Sequence, residues 1–258
     1  MQLIAVLGAT PTAHALARHR DAGGRYWLQA LPHTPVERAV PALPWLGFAG
    51  ALVFGDDARR DAAHVATRTA HHVGADGGDV VTVVGDATLV DAVGDAAVVD
   101  GLRHAGWDPR GARIVAIGDD AGTASLLAEL AAAGASELTV VGRDAPAAER
   151  ALPALPAGAH GAAVARRDPA LPDLLARADA VVRGEDLLPP DGTWFGPHLT
   201  LVDVAPDLPG DWRRAARAAG AASVPWADVE AHRVAAAIQA VLGERVDAEP
   251  FLDVLHAP

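Results

Sequence analysis

The stretch from Gly111 to Arg143 constrains the fold more than any other part of the chain. Arg113 to Ile117 is apolar and β-rich, and Gly118 to Gly122 reads as a turn. Thr123 to Ala133 is an alanine-leucine helix, Gly134 stops it, and Glu137 to Val141 is apolar again. A strand, a helix and a strand at this spacing pack as a right-handed βαβ unit with parallel strands. The alternation continues with a helix at Ala147 to Leu152, a strand at Gly161 to Ala165, a helix at Leu171 to Ala178, and strands at Ala180 to Val182 and Leu199 to Val204. The fold class is therefore α/β, with a Rossmann-like, doubly wound parallel sheet between about Gly111 and Trp226.

The first half is less regular. Leu3 to Leu7 reads as a buried strand ended by Gly8, with a helix over Thr12 to Arg20. Tyr26 to Leu31 and Gly50 to Phe54 are further strand candidates, separated by a proline-broken helix over Pro35 to Leu46. A helix follows over Ala58 to His72, then a strand at Val80 to Val84 and a helix at Ala96 to Ala105. The last helix, Asp228 to Leu242, and the tail Phe251 to Leu255 are amphipathic.

Charge narrows the partners. The 258 residues carry a formal net charge of −12, which repels nucleic-acid phosphates and anionic lipid and leaves a small-molecule ligand as the expected partner. Cysteine is absent, which removes disulfides, thiolate metal sites and cysteine nucleophiles. Lysine is absent too, so no Schiff base, lysine general acid or lysine phosphate clamp is available. No run approaches the ~18 apolar residues of a membrane span, and the N-terminus lacks a basic leader, so the expectation is a cytoplasmic protein.

Gly111-Ala-Arg-Ile-Val-Ala-Ile-Gly118, the helix after it and Ala135-Ser-Glu-Leu-Thr-Val-Val-Gly-Arg143 together resemble the nucleotide-binding half of shikimate dehydrogenases. Other landmarks of that family follow in the same order. Ala5-Val-Leu-Gly8 with His14 resembles its opening strand and substrate loop, and Val73-Gly-Ala75 with Thr82-Val-Val84 its iGAxNTvv stretch. Leu89-Val90 to Asp95 and Gly101-Leu102 stand where the family carries Asn-Thr-Asp. Leu201-Val-Asp203 resembles its vDlvY strand, and Val229 to Gly243 its closing helix. The resemblance implies an N-terminal α/β substrate domain over 1–103, a Rossmann domain over 104–228, and a C-terminal helix, within 229–258, that returns to the first domain. It further implies reduction of 3-dehydroshikimate with NADPH in an interdomain cleft, by a monomer or homodimer.

Motif by motif, the chain departs from that pattern. The family's substrate-loop serines fall on Ala15 and Ala17, beside His14. Its catalytic lysine falls on Ala58 or Arg59, and arginine does not release a proton near neutral pH. Its asparagine falls on Val81, and only Asp95 matches the catalytic pair. The substrate-binding glutamine falls near Arg233. The resemblance thus leaves Asp95 as the catalytic candidate and His14, Arg59 and Arg233 as substrate-binding candidates. The dinucleotide loop reads Gly118-Asp119-Asp120-Ala121-Gly122-Thr123 in place of GxGGA. Gly118, Gly122, Thr123, Arg143 and Arg150 are the cofactor-binding candidates, with NADP the preferred dinucleotide because Arg143 stands where the family binds the adenosine 2′-phosphate.

Plainer readings stand beside these. Asp95 and the Asp119-Asp120 pair also fit helix N-caps, and Arg143 also fits a surface arginine. His14 and His19 lie five apart and His71 and His72 are adjacent, spacings that put neither pair on one helix face, so no metal site is expected. Two functions remain open: a non-catalytic descendant of the family with little or no activity towards shikimate, and an oxidoreductase acting on another small hydroxy acid.

Overall fold

A computed structural model of the protein describes all residues except 18, 20, 32, 71, 72, 74–76, 153, 154, 156, 157, 257 and 258, and the side chain of residue 121. His71, His72 and the Gly-Ala pair at 74 and 75 therefore lie outside the described residues. The chain divides into two compact units, one formed by Met1–Ala97 with Glu230–Pro258 and the other by Val98–Val229.

In the first unit, β1 (Gln2–Leu7) lies between β2 (Tyr26–Ala30) and β3 (Gly50–Val53), parallel to both. Antiparallel β5 (Val80–Val84) and β6 (Ala87–Asp91) extend the sheet from β3, and the two-residue β4 (Arg68–Thr69) closes the far edge. The helices of this unit are α1 (Pro11–Leu16), α2 (Val36–Ala42), α3 (Asp56–Val65), the start of α4 (Gly94–His104), most of α9 (Trp226–Leu242), and α10 (Glu249–His256). One face of the sheet buries Ile4, Val6, Leu28, Leu52 and Val80 against Val234, Ile238, Val241 and Phe251 from α9 and α10. The other face buries Ala5, Leu7, Val53 and Val81 against α2 and α3. With both faces covered, β3 reads as an unbroken apolar run. α3 stops at Val65, short of the expected His72, and Arg68–Thr69 instead pairs with Leu89–Val90.

In the second unit every strand pairing among the described residues is parallel. The order is β12 (Ala222–Val224), β11 (Thr200–Asp203), β10 (Ala180–Arg183), β7 (Arg113–Ile117), β8 (Glu137–Gly142), β9 (Gly161–Ala165). In chain order this is 3-2-1-4-5-6, the doubly wound arrangement whose direction of winding reverses between β7 and β10. α5 (Ala121–Ala132) and α6 (Ala145–Glu149) lie with β7 and β8, while α7 (Leu171–Arg177) and α8 (Asp211–Ala218) cover other parts of the sheet. Asp120 is the N-cap of α5, its carboxylate accepting from the Thr123 N–H at 2.7 Å, and Asp144 caps α6 in the same way at 2.8 Å. Among the described residues no helix is long and apolar enough to cross a membrane.

Candidate ligand pocket and switch-point loop

In the first unit, β3 runs into the Val53–Phe54 backbone and then directly into α3, which carries Arg59. Asp79 immediately precedes β5. Leu52, Val53, Phe54, Arg59, Asp79, Glu230, Arg233, Val234 and Ala237 line one small pocket of about 10 Å³. Apolar side chains from β3 and α9 form part of its wall, and charged ones supply its chemistry. Arg233 lies 3.3 Å from Asp95 and 3.6 Å from Glu230. Three sequence-derived candidates, Arg59, Asp95 and Arg233, thus meet in one cluster. His14 is not a lining residue: it is exposed on α1, its Nδ1 2.8 Å from the Thr10 carbonyl oxygen.

Two members of the cluster, Asp79 and Glu230, carried no sequence signal. Val81, where the resemblance put the family's asparagine, is wholly buried in the apolar cluster behind β5, and Asp79 two residues earlier faces the pocket. The Asp79 carboxylate accepts N–H bonds from Val93 at 2.9 Å and Gly94 at 2.7 Å, one to each oxygen, and so holds the start of α4. Gly94 permits this approach, since a Cβ there would come within 2.3 Å of the carboxylate. Burial pushes the Asp79 pKa up, against the pull of the two N–H donors and the Arg59 charge; the nearby Asp95 charge adds to the rise. The Arg59 Nε reaches the Val53 carbonyl only at 3.5 Å.

The other cofactor-related candidates sit at the carboxyl ends of β7 and β8, beside the switch point where doubly wound folds bind ligands. Gly118 closes β7 with φ +151, and a Cβ there would lie 2.6 Å from the Thr123 hydroxyl oxygen, so glycine is required. The Asp119 side chain is 1% exposed and accepts from the Arg143 backbone N–H at 2.8 Å and from the Arg143 guanidinium at 2.7 Å. Its own backbone N–H donates to Glu185, just beyond β10, at 2.8 Å, a bond that spans the crevice between the β7 and β10 ends. The Arg143 guanidinium beside Asp119 holds its carboxyl below the ordinary carboxylate range, and Asp119 in turn raises Arg143. Arg150 donates to the Pro146 carbonyl oxygen at 3.1 Å and adds to the positive potential at Asp119. Gly122, in the first turn of α5, is exposed.

Several donors of this loop are already engaged within the protein. A pyrophosphate needs free backbone N–H groups at the helix start and room above them. Here Asp120 takes the Thr123 N–H, Glu185 takes the Asp119 N–H, and Asp119 takes both the backbone N–H and the guanidinium of Arg143.

A third charged group lies further along the same sheet edge. Arg183 and Asp203 are register partners at the ends of β10 and β11, 3.3 Å apart and essentially without exposure. Arg213 approaches Asp203 at 3.5 Å, and the Arg183 guanidinium lies 4.9 Å from the Trp212 ring centroid. Neither terminal nitrogen of Arg183 nor either oxygen of Asp203 has a well-formed hydrogen bond. Burial pushes Asp203 up and Arg183 down. Among the described residues no group of three or more His, Cys, Asp or Glu side chains is arranged to hold a metal ion.

No family model and no curated protein sequence matches the chain. Its structure is similar to several solved ones over nearly its whole length. A shikimate 5-dehydrogenase from Listeria monocytogenes, in complex with shikimate and NAD, matches with a TM-score of 0.82 at 17% identity, covering 98% of this chain and 96% of that one. Quinate dehydrogenase from Corynebacterium glutamicum, in complex with NAD, matches with a TM-score of 0.81 at 16% identity, over 98% of each. Ligand-free 5-ketofructose reductase from a Gluconobacter strain matches with a TM-score of 0.80 at 18% identity, over 98% and 97%. The chain has the fold of the shikimate and quinate dehydrogenases.

Proposed function

We propose that the protein is a divergent, cytoplasmic relative of the shikimate dehydrogenases. In this reading residues 1–103 with 229–258 act as the substrate domain and 104–228 as a nucleotide-type domain whose cofactor site has closed. NADP-dependent interconversion of 3-dehydroshikimate and shikimate is lost or marginal, and the first-unit pocket remains as a site for a small ligand. The observation that carries this is the buried Asp119 carboxylate, saturated by Arg143 at the helix start where a pyrophosphate would have to lie. Arg143 is thereby spent on Asp119, and the neighbouring Asp120 carboxylate opposes a phosphate ~4 Å away by up to roughly 4 kcal/mol at an effective dielectric near 20, about three powers of ten in affinity. The absence of lysine adds to it: Arg59 can hold a hydroxyl or a carboxylate but cannot shuttle its proton.

Calorimetric titration with NADP and NADPH tests the reading. The expected result is no saturable binding to the natural protein and measurable binding to Asp119→Ala/Asp120→Gly. Micromolar binding to the natural protein, weakened by Arg143→Ala, would overturn it. A second reading, an oxidoreductase acting on another small hydroxy compound, is favoured by Arg59, Asp79 and Arg233 lining one pocket, with Asp95 3.3 Å from Arg233. The structural likeness to 5-ketofructose reductase makes a ketose a sensible first substrate in an NADPH-consumption assay.

A further inference from the structure

We infer that Glu185 is an autoinhibitory latch: its carboxylate holds, from within the chain, the position that a nucleotide diphosphate would take at the switch-point crevice. The crevice opens when this one side chain turns away. The inference rests on the reading of residues 104–228 as a nucleotide-type domain with a closed site, and it names the residue that closes it. Three observations carry it.

The first is place. Ligands of doubly wound folds bind in the crevice between the strand ends where the winding reverses, here β7 and β10. Glu185 accepts the Asp119 N–H at 2.8 Å across that crevice. Its Oε2 and Cγ lie 3.5 and 3.7 Å from the point where a Cβ on Gly118 would stand. The side chain thus lies over the glycine that closes β7, where bare backbone would let a diphosphate approach most closely.

The second is a fixed backbone beneath a movable side chain. The N–H groups of Gly184 and Glu185 both donate to the Ile117 carbonyl oxygen, at 2.9 and 3.2 Å, and a Cβ on Gly184 would come within 3.1 Å of the Thr123 hydroxyl oxygen. The chain leaving β10 is therefore packed against both β7 and the start of α5, and opening falls to the side-chain torsions of Glu185.

The third is light anchorage. Among the described residues the Glu185 carboxylate takes one hydrogen bond and no ion pair. Asp119, by contrast, is held by both the backbone N–H and the guanidinium of Arg143. An arriving phosphate has one charge-assisted bond to displace, and it exchanges one anion for another within the field of Arg143, which already feels the Glu185 charge.

The test is titration calorimetry of the full chain with ADP, which carries the diphosphate without a nicotinamide arm and so reports on the crevice alone. The expected result is no saturation of the natural protein up to about 1 mM, saturation of Glu185→Ala at least about tenfold below that, and an intermediate Glu185→Gln, whose amide oxygen still accepts the Asp119 N–H. Asp186→Asn removes the same charge from the exposed neighbouring residue and should leave binding unchanged. A gain there equal to that of Glu185→Ala would reduce the effect to net charge and overturn the latch. No gain in Glu185→Ala would also overturn it, and a gain in Asp119→Ala/Asp120→Gly alone would leave the closed-site reading standing. Micromolar binding by the natural protein would overturn the closed site itself. Amide hydrogen exchange of the natural protein tests the latch without a variant: the Asp119 N–H should be protected, and exchange at the rate of an unbonded amide would overturn it.

Discussion

Asp79 in the first unit and Asp119 in the second solve the same local problem with opposite electrostatics. Each is a half-buried residue whose carboxylate accepts backbone N–H bonds beside the start of a helix. Asp119 also takes the Arg143 guanidinium, which pulls its pKa down and exhausts its bonding capacity. Asp79 receives only N–H bonds, and burial outweighs them, pushing its pKa up. One carboxylate is thereby finished as structure. The other stays poised in a pocket that still has a guanidinium to share. The lesson is that spare hydrogen-bonding capacity, more than the presence of charge, separates a site from a brace.

The severest challenge to that distinction comes from the third carboxylate, Asp203, which is a brace without good bonds. Asp203→Ala leaves the Arg183 charge buried beside Trp212 and should cost about 3–5 kcal/mol in denaturant unfolding, whereas Arg183→Met/Asp203→Leu should come out near neutral. A small loss in the single variant would mean that water reaches the pair. Next in size, Asp79→Ala strands the Val93 and Gly94 N–H groups and should cost about 1–3 kcal/mol, with Asp79→Asn losing less because one acceptor remains. Asp119→Ala should cost about 1 kcal/mol for its lost backbone bond. The comparison fails if Asp119→Ala is more damaging than Asp79→Ala.

The smallest effect concerns His19, which packs against Phe251 of α10 with ring centroids 4.8 Å apart. Burial lowers its pKa from 6.5, while Asp21 opposes the shift. A depressed imidazole contributes stability that is complete above 6.5 and is lost as pH falls from there through the folded value. His19→Gln should therefore flatten the decline of melting temperature between about pH 6.5 and 5. An unchanged slope would place the acid sensitivity elsewhere.

The parallel sheet was legible because strands covered on both faces are continuous apolar runs, as in Ile114 to Ile117 and Ala180 to Val182. The strand β6, Ala87–Asp91, escaped because it is half-buried and mixes Thr88 and Asp91 with apolar residues. Helix α8 escaped for a related reason: among Asp211, Arg213, Arg214 and Arg217 only Trp212 and Ala216 are buried. Of the pocket's charged residues, Arg59 and Arg233 were reachable through the resemblance, as was Asp95 beside Arg233, whereas Asp79 and Glu230 belong to no motif. Asp79 acts through a turn that brings Val93 and Gly94 back to it, a three-dimensional relation that spacing alone does not encode. The double aspartate of the switch-point loop fits a cap by sequence; Asp120 is one, and Asp119 reaches instead to the next strand's end.

The core of the first unit is completed by Val234, Ile238, Val241 and Phe251, all encoded after the whole of the second unit. On a ribosome adding roughly 5–20 residues per second, the sheet of the first unit waits on the order of ten seconds with one apolar face uncovered while residues 98–229 emerge. The doubly wound unit can fold in that interval as a continuous segment, and the first unit closes afterwards. The two units are therefore completed in the reverse of the order in which they begin to emerge, with the apolar face of β1–β3 exposed in the interval.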